Sequence, residues 1–251
     1  MFDILWARLQ QKHRTIDFPD GPPPALSDRY QGRPAVFPER CEPGCDLCGQ
    51  VCPTGAIVCN PPGIDLGKCL FCSRCADACP HQAIRFTNDY SMAESVRENL
   101  IVGAASRPAG RITATPANRL FRKSLKLRQV SAGGCNACEA DTNVLGTVGW
   151  DLGRFGIQFV ASPRHADGLL ITGPVPENMR LALLKTYRAV PEPKVVILVG
   201  SCAIAGGPFI DHEEVHNGAG GLLPVDLHIP GCPPSPLTIL DGLLRLIGRI
   251  S

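Results

Sequence analysis

The sequence has no long apolar run, no strong excess of one charge and no export signal. The net charge at pH 7 is +2 over 251 residues, which gives no global case for nucleic-acid binding. No run of about 18 apolar residues is present, so we expect no transmembrane segment. Residues 1–10 lack the basic start, apolar stretch and small-residue cleavage site of a secretory signal, so we expect a cytoplasmic chain.

A cytoplasmic chain keeps its thiols reduced, which matters because this one has 13 cysteines. A disulfide framework would need an oxidising compartment, so the cysteines favour metal or cluster binding. Twelve of them fall into two arrays. The first array contains Cys41, Cys45, Cys48, Cys52, Cys69, Cys72, Cys75 and Cys79, and the second contains Cys135, Cys138, Cys202 and Cys232.

The first array has the spacing of a ferredoxin with two 4Fe–4S clusters. A cubane cluster needs four thiolates around a small volume, and a Cys-x2-Cys-x2-Cys loop supplies three from one tight turn. The fourth cysteine of each run is followed by proline and ligates the other cluster. This crossing rule predicts one cluster on Cys41, Cys45, Cys48 and Cys79, and a second on Cys52, Cys69, Cys72 and Cys75.

The first array also leaves zinc binding open and departs from the usual ferredoxin pattern at two cysteines. Zinc sites also use Cys-x2-Cys pairs, although they need neither the third cysteine nor the proline. Cys41 and Cys45 are separated by three residues where the usual run has two, and Gly44 is expected to absorb the extra residue in a turn. Cys59 fits no ligand position and is interpreted as a small buried apolar residue.

Two segments flank this array. Phe2, Leu5, Trp6 and Leu9 share one face of a short predicted helix, which either packs on its own domain or docks on a partner or a membrane surface. After the array, seven Lys or Arg residues and no acid lie between residues 99 and 138. This basic segment is either a solvated linker or a contact for a partner subunit or anionic lipid headgroups.

The second half alternates strand and helix patterns, which favours a parallel sheet with crossover helices. Short loops follow three strand ends, at residues 132–135, 173–175 and 200–202. The first ends at Cys135, just before Cys138, the third ends at Cys202, and Cys232 would return from a further strand to the same edge. The carboxyl edge of such a sheet is where ligands bind, so these four cysteines form a plausible third site. The predicted strands are 127–131, 157–161, 168–172 and 195–199, with helices near 139–149 and 177–188.

The cysteine loops carry a family resemblance that extends over nearly the whole chain. Residues 125–251 resemble the small subunit of energy-converting (group 4) nickel–iron hydrogenases, which is homologous to the 20 kDa subunit of respiratory Complex I. Residues 1–102 resemble the ferredoxin subunit of formate hydrogenlyase, so the chain looks like a fusion of two subunits that are usually separate. The motifs that carry the resemblance are Gly134-Cys135-Asn136-Ala137-Cys138-Glu139, Ser162-Pro163-Arg164-His165-Ala166-Asp167, Thr172-Gly173-Pro174-Val175, Gly200-Ser201-Cys202-Ala203 and Gly231-Cys232-Pro233-Pro234-Ser235-Pro236.

The resemblance implies that Cys135, Cys138, Cys202 and Cys232 bind a proximal 4Fe–4S cluster facing a catalytic large subunit. The Cys-x2-Cys pair is the hydrogenase form, because Complex I uses two adjacent cysteines. Asp141 stands where the family often has Glu, and it is either a proton relay or a partner of the helix dipole.

We expect an α+β bacterial-type two-cluster ferredoxin domain followed by an α/β flavodoxin-like domain with a parallel sheet. The expected divisions are an N-terminal docking helix and extended arm (1–40), the ferredoxin domain (41–102), a basic linker (103–124) and the proximal-cluster domain (125–251).

The expected function is electron transfer through three 4Fe–4S clusters in a membrane-associated, formate hydrogenlyase-like nickel–iron hydrogenase complex, peripheral on the inner face of the cell membrane. The implied partners are a nickel–iron large subunit, membrane-arm subunits and a formate or carbon monoxide dehydrogenase or other donor. One alternative keeps the electron path in a Complex I-like or hydrogenase-related quinone- or ion-coupled oxidoreductase without nickel–iron. Another is a zinc-stabilised scaffold.

Overall fold

The computed structural model describes residues 2–12, 14–59, 61–103, 112 and 120–250. In this part of the chain, helices α1 to α7 and strands β1 to β10 form two connected units. The helices are Phe2–Gln11, Leu47–Gln50, Arg74–Asp77, Ala137–Val144, Glu177–Ala189, Ser201–Ala205 and Pro236–Leu246. The strands are Pro34–Val36, Ile57–Cys59, Pro62–Asp65, Ile84–Phe86, Ile101–Gly103, Leu125–Ser131, Ile157–Phe159, Gly168–Thr172, Val195–Val199 and Leu227–Ile229.

The first unit contains two small antiparallel sheets that support the first cysteine array. One sheet pairs β1 with β4, and the other has the order β2-β3-β5. The first unit, whose strands span residues 34–103, is called the ferredoxin unit below. Strand β1 pairs with β4, so part of the predicted arm belongs to this unit. The predicted linker stays a prediction, because residues 104–111 and 113–119 lie outside the described part.

The second unit is built on one parallel sheet with the strand order β10-β9-β8-β6-β7. Numbered within this unit, the order is 2-1-3-4-5, which is the flavodoxin-like arrangement. Strands β8 and β9 match their predicted bounds, whereas β7 ends at Phe159, two residues before its predicted end. The order of strands reverses direction between β6 and β8, and ligands bind at the carboxyl ends of strands at such a point.

Strands β8 and β9 are buried along their whole length, as expected for central strands covered on both faces. On one face, Leu170, Ile197 and Val199 pack with Leu240 and Leu243 of α7. On the other face, residues of the sheet join a core that also contains residues of the ferredoxin unit, including Leu169, Ile171, Leu198, Ile64 and Leu100. The two units therefore share an apolar core.

Polar contacts also join the two units. The backbones of Glu94 and His228 exchange two hydrogen bonds, at 3.0 and 2.8 Å. The Ser91 hydroxyl donates to the buried Asp241 carboxylate on α7 at 3.0 Å. These contacts and the shared core fix the position of the first cysteine array relative to the carboxyl edge of the parallel sheet.

Helix α1 lies outside these cores, and no residue of it is buried. Its apolar side chains Phe2, Leu5, Trp6 and Leu9 are 87%, 58%, 63% and 71% exposed. The interpretation that this helix packs on its own domain is therefore wrong. In the described part of the chain, no helix is both long enough and apolar enough to cross a membrane.

Candidate cluster-binding sites

The first site is a cavity of about 510 Å³ at one end of the ferredoxin unit. Cys41, Cys45, Cys48 and Cys79 all line it, and these are the four cysteines that the crossing rule assigns to one cluster. Cys41 and Cys45 lie in the loop before α2, and Cys48 lies in α2. Cys79 belongs to the second cysteine run and follows α3. The fold thus brings together residues that are distant in the sequence.

Two details of this cavity concern the unusual spacing after Cys41. Gly44 has a φ of +82°, a left-handed conformation that glycine adopts without steric cost. The Cys45 N–H donates to the Glu42 carbonyl at 3.1 Å, so the extra residue is accommodated in a turn, as expected. The interpretation of Cys59 as a buried residue is wrong, because Cys59 is exposed and lines the same cavity.

The second site lies within the ferredoxin unit and has a much smaller cavity of about 20 Å³. Cys52, Cys69, Cys72 and Cys75 line this cavity. No cysteine lines both cavities. The eight cysteines thus line the two cavities four and four, with Cys52 and Cys79 exchanged between the runs, and that each set binds a cluster stays a prediction.

Backbone N–H groups point at several of these sulfurs. Ala56 N–H donates to Cys52 Sγ at 3.2 Å, and Ala83 N–H donates to Cys79 Sγ at 3.3 Å. These two bonds arise from the repeated Cys-Pro-x-x-Ala motif and have the same four-residue offset. Such bonds stabilise negative charge on sulfur and are among the features by which proteins set cluster potentials.

The innermost thiols of the second site would be costly to ionise without a cation. Burial raises the pKa of Cys69 to about 12 and that of Cys75 to about 11, with smaller contributions from neighbouring cysteines. The thiolate is the form that binds metal, and metal binding supplies the positive charge that makes deprotonation favourable. These sulfurs fit metal ligands better than free thiolates.

The third site lies at the carboxyl edge of the parallel sheet. Cys135 and Cys138 follow β6, Cys202 follows β9 in helix α6, and Cys232 follows β10. Burial raises the pKa of Cys138, and the charges of Cys202, Cys232 and Cys135 raise it further. Burial also raises the pKa of Cys202 to about 11, again with contributions from Cys232 and Cys135. The four cysteines are thus within electrostatic reach of one another.

Glycine is required beside two of these sulfurs. A Cβ atom on Gly200 would lie 2.5 Å from Cys138 Sγ, and a Cβ atom on Gly207 would lie 2.6 Å from Cys202 Sγ. Both distances are too short for any other residue without movement. The main chain therefore approaches the sulfurs closely, as it does where a cluster is held in a backbone cradle.

Glu139 is a residue of this site that sequence reasoning missed. It is 6% exposed, and its Oε1 atom accepts hydrogen bonds from the Ser131 and Thr172 hydroxyls, each at 2.6 Å. Ser131 and Thr172 are directly paired across β6 and β8. The acid immediately after Cys138 was visible in the sequence, but its significance depends on the register of β6 and β8.

The predicted relay residue Asp141 lies two positions farther along α4. It is only half-buried, and burial raises its pKa. Arg164 and His165 of the resemblance motif are both exposed. Glu139 is therefore the most buried of the charged residues in these motifs near the third site.

The positions of the cysteine thiols bear on the alternative of a structural zinc site. A structural zinc ion needs four ligands within about 2.0–2.3 Å of one point. Within the described residues, no group of three or more His, Cys, Asp or Glu side chains could hold a single metal ion. The four thiols around the cavity of about 510 Å³, with a backbone N–H group on Cys79 Sγ, suit the larger volume of a 4Fe–4S cluster.

Two family models match the chain, and they match different units. Residues 135–246 match the family "NADH ubiquinone oxidoreductase, 20 Kd subunit", which covers all four cysteines of the third site. Residues 62–85 match the "4Fe-4S binding domain" family, which covers the second cysteine run of the ferredoxin unit. Both kinds of sequence are therefore present in one polypeptide.

Three curated relatives show the extent of the similarity. Formate hydrogenlyase subunit 7 of Escherichia coli is 42% identical over 52% of this chain and 51% of its own length. An NADH-quinone oxidoreductase subunit of Clostridium beijerinckii is 45% identical over 47% of this chain and 70% of its own length. The Pyrococcus furiosus protein named "Probable membrane-bound hydrogenase subunit mbhJ" is 37% identical over 49% and 73%. The chain thus spans about half the length of the formate hydrogenlyase subunit.

Proposed function

The chain belongs to the family of the 20 kDa subunit of NADH ubiquinone oxidoreductase, and from that premise we propose a specific role. It is the iron–sulfur electron-transfer subunit of a membrane-associated, energy-converting nickel–iron hydrogenase complex of the formate hydrogenlyase type. The relatives are named as subunits of oxidoreductases, so the chain serves an enzyme whose catalytic site lies in a partner subunit.

The observation that carries this proposal is the separation of twelve cysteines into three sets of four. Two sets line separate cavities, and in the third the neighbouring cysteines contribute to the raised pKa of Cys138, Cys202 and Cys232. Bound 4Fe–4S clusters would each accept and release one electron. The proposed ligand sets are Cys41, Cys45, Cys48 and Cys79, then Cys52, Cys69, Cys72 and Cys75, then Cys135, Cys138, Cys202 and Cys232.

The residues around the third set give the protein's own contribution. Gly200 and Gly207 bring the main chain against the sulfurs, and Glu139 places a carboxylate beside Cys138. The exposed rim, which includes Cys135 and Cys232, is the surface that would face the large subunit. The proposed partners are that subunit, membrane-arm subunits and a formate or carbon monoxide dehydrogenase or another donor, on the inner face of the membrane.

A second candidate keeps the same electron path in a Complex I-like complex without nickel–iron. Similarity to the NADH-quinone oxidoreductase subunit of Clostridium beijerinckii supports it. The Cys135-x2-Cys138 pair supports the hydrogenase, because the resemblance assigns adjacent cysteines to Complex I. The large subunit that copurifies with this chain distinguishes the two, since only a hydrogenase large subunit carries the paired cysteines that bind nickel.

The first test is metal analysis of the anaerobically purified chain. We expect about twelve irons and twelve sulfides per chain, corresponding to three 4Fe–4S clusters. Zinc without iron would establish the scaffold alternative and overturn the proposal. About eight irons would refute the count of three.

Matched cysteine variants then test the ligand sets. Cys48→Ser, Cys72→Ser and Cys202→Ser should each remove about four irons, one cluster at a time. Cys59→Ser is the control, because Cys59 lines the first cavity but belongs to no proposed set. If Cys59→Ser loses a cluster while Cys41→Ser keeps all three, the assignment of Cys41 is wrong.

A further inference from the structure

A single buried serine joins the second and third sites. Ser201 begins helix α6 and precedes Cys202 of the third set, and it is fully buried at 0% exposure. Its hydroxyl donates to the main-chain carbonyl of Cys69, a member of the second set, at 2.5 Å. This contact connects residues 132 positions apart.

The hydrogen bonds around Ser201 indicate which acceptor receives the hydroxyl proton. The Gly231 carbonyl lies 3.1 Å from the hydroxyl but already accepts the Ser201 main-chain N–H at 2.9 Å. A serine hydroxyl has one proton to donate, and the shorter contact is the one to Cys69. The side chain thus holds Cys69 while the main chain holds Gly231, the residue before Cys232.

Independent contacts place the second site, rather than a remote part of the unit, beside the third. A Cβ atom on Gly67, two residues before Cys69, would lie 2.8 Å from Ile204 Cγ2 of helix α6, and Cys69 and Ile204 belong to the same buried apolar cluster. Cys69 is itself 7% exposed, and its Sγ accepts the Phe71 N–H at 3.3 Å. The Cys69 loop is therefore packed against the edge of the sheet that carries the third set.

On the basis of the proposed function, we propose that Ser201 is a positioning residue for electron exchange between the second and third clusters. The route runs through the bonds of Cys69, across one hydrogen bond to the Ser201 hydroxyl, and through one peptide bond to Cys202. One electron leaves the second site and one enters the third. No bond breaks, and the hydroxyl proton stays on Ser201.

The expected effect of Ser201→Ala is a loss of coupling without a loss of clusters. The variant keeps all twelve proposed ligands, so its iron content should equal that of the parent chain. Removing the hydroxyl removes the hydrogen bond through which the proposed route passes and weakens the contact between the Cys69 loop and helix α6. We expect weaker spin–spin splitting between the two reduced clusters in EPR spectra, and a several-fold slower rise of the third cluster's signal after rapid reduction.

Ser91→Ala is the matched control. Ser91 also joins the two units through a serine hydroxyl, here to Asp241, but neither residue lines a cysteine cavity or belongs to a proposed ligand set. We expect the splitting and the rate to be unchanged in Ser91→Ala. Equal losses in both variants would show a general effect of unit docking and would overturn the proposal.

A second variant keeps the test decisive if Ser201→Ala binds less iron. Ser201→Thr retains a hydroxyl that can donate to Cys69, and we expect it to restore the parent splitting and rate. Full splitting in Ser201→Ala with twelve irons bound would also overturn the proposal. Failure of the parent chain to bind three clusters would refute the proposed function instead, so the two failures are distinguishable.

Discussion

Replacing Glu139 by Gln should raise the reduction potential of the third cluster. Glu139 is buried beside Cys138, and its charge contributes to the raised pKa of Cys138 and Cys202. A group that disfavours negative charge on these thiols also disfavours the added electron of the reduced cluster. Glutamine removes the charge, and its amide oxygen can still accept from Ser131 and Thr172, so the fold should be retained.

The size of the expected rise in reduction potential follows from the Coulomb interaction between the Glu139 charge and the cluster. Two unit charges interact by about 4 kcal/mol at roughly 4 Å with an effective dielectric constant near 20, and by about half of that at twice the distance. The smaller value is appropriate for charge spread over a cluster. About 2 kcal/mol corresponds to roughly 90 mV for a one-electron couple, because a tenfold change in the equilibrium constant is 59 mV.

The assay is an EPR-monitored redox titration of the anaerobic chain. Asp141→Asn is the matched control, since Asp141 lies on the same helix but is only half-buried, and solvent screens its charge more strongly. We expect a clearly smaller shift for that variant. A potential that stays constant or falls in Glu139→Gln, or an equal rise in Asp141→Asn, would refute the reasoning.

Two further predictions concern the cradle and the ferredoxin unit. Gly200→Ala should lose about four irons, because the new methyl group would meet Cys138 Sγ at 2.5 Å. The control Gly220→Ala has no atom within 4 Å of its new Cβ and should keep every iron. A full iron content in Gly200→Ala would contradict the close approach of the main chain to Cys138. Arg97→Met should destabilise the chain by about 2 kcal/mol in thermal unfolding, below the usual cost of breaking a buried pair because Arg97 is 30% exposed. It leaves Asp65 without the two bonds that Arg97 donates at 2.8 and 2.7 Å. Arg180→Met, in an exposed pair with Glu177, is the control and should have little effect, so equal losses would argue against the special role of the Arg97 pair.

The sequence was most informative where chemistry and periodicity are local. Strands β8 and β9 are continuous apolar runs bounded by glycine or charged residues, so their bounds were predictable. The separation of the cysteines into two cavities followed from spacing and proline position alone. A turn at Gly44 was also predictable, because glycine is the residue that most readily adopts the conformations of a tight turn.

Features that depend on distant pairs were not predictable. Strand β1 has three residues, too few for a periodic pattern, and it forms only because β4 pairs with it. Glu139 gained significance only when Ser131 and Thr172 met in register on neighbouring strands. Cysteine is a residue type usually found in cores, so the sequence favours burial of Cys59. The side chain is exposed because β2 ends at the rim of the first cavity.

The shared core of the two units has a consequence for assembly. Two such units on separate chains would have to find each other by diffusion. Here they are covalently joined, so their contact is an intramolecular event whose effective concentration does not depend on expression level. The chain fixes a one-to-one ratio of its two parts, and the Cys69–Ser201 contact can form as soon as a single molecule has folded.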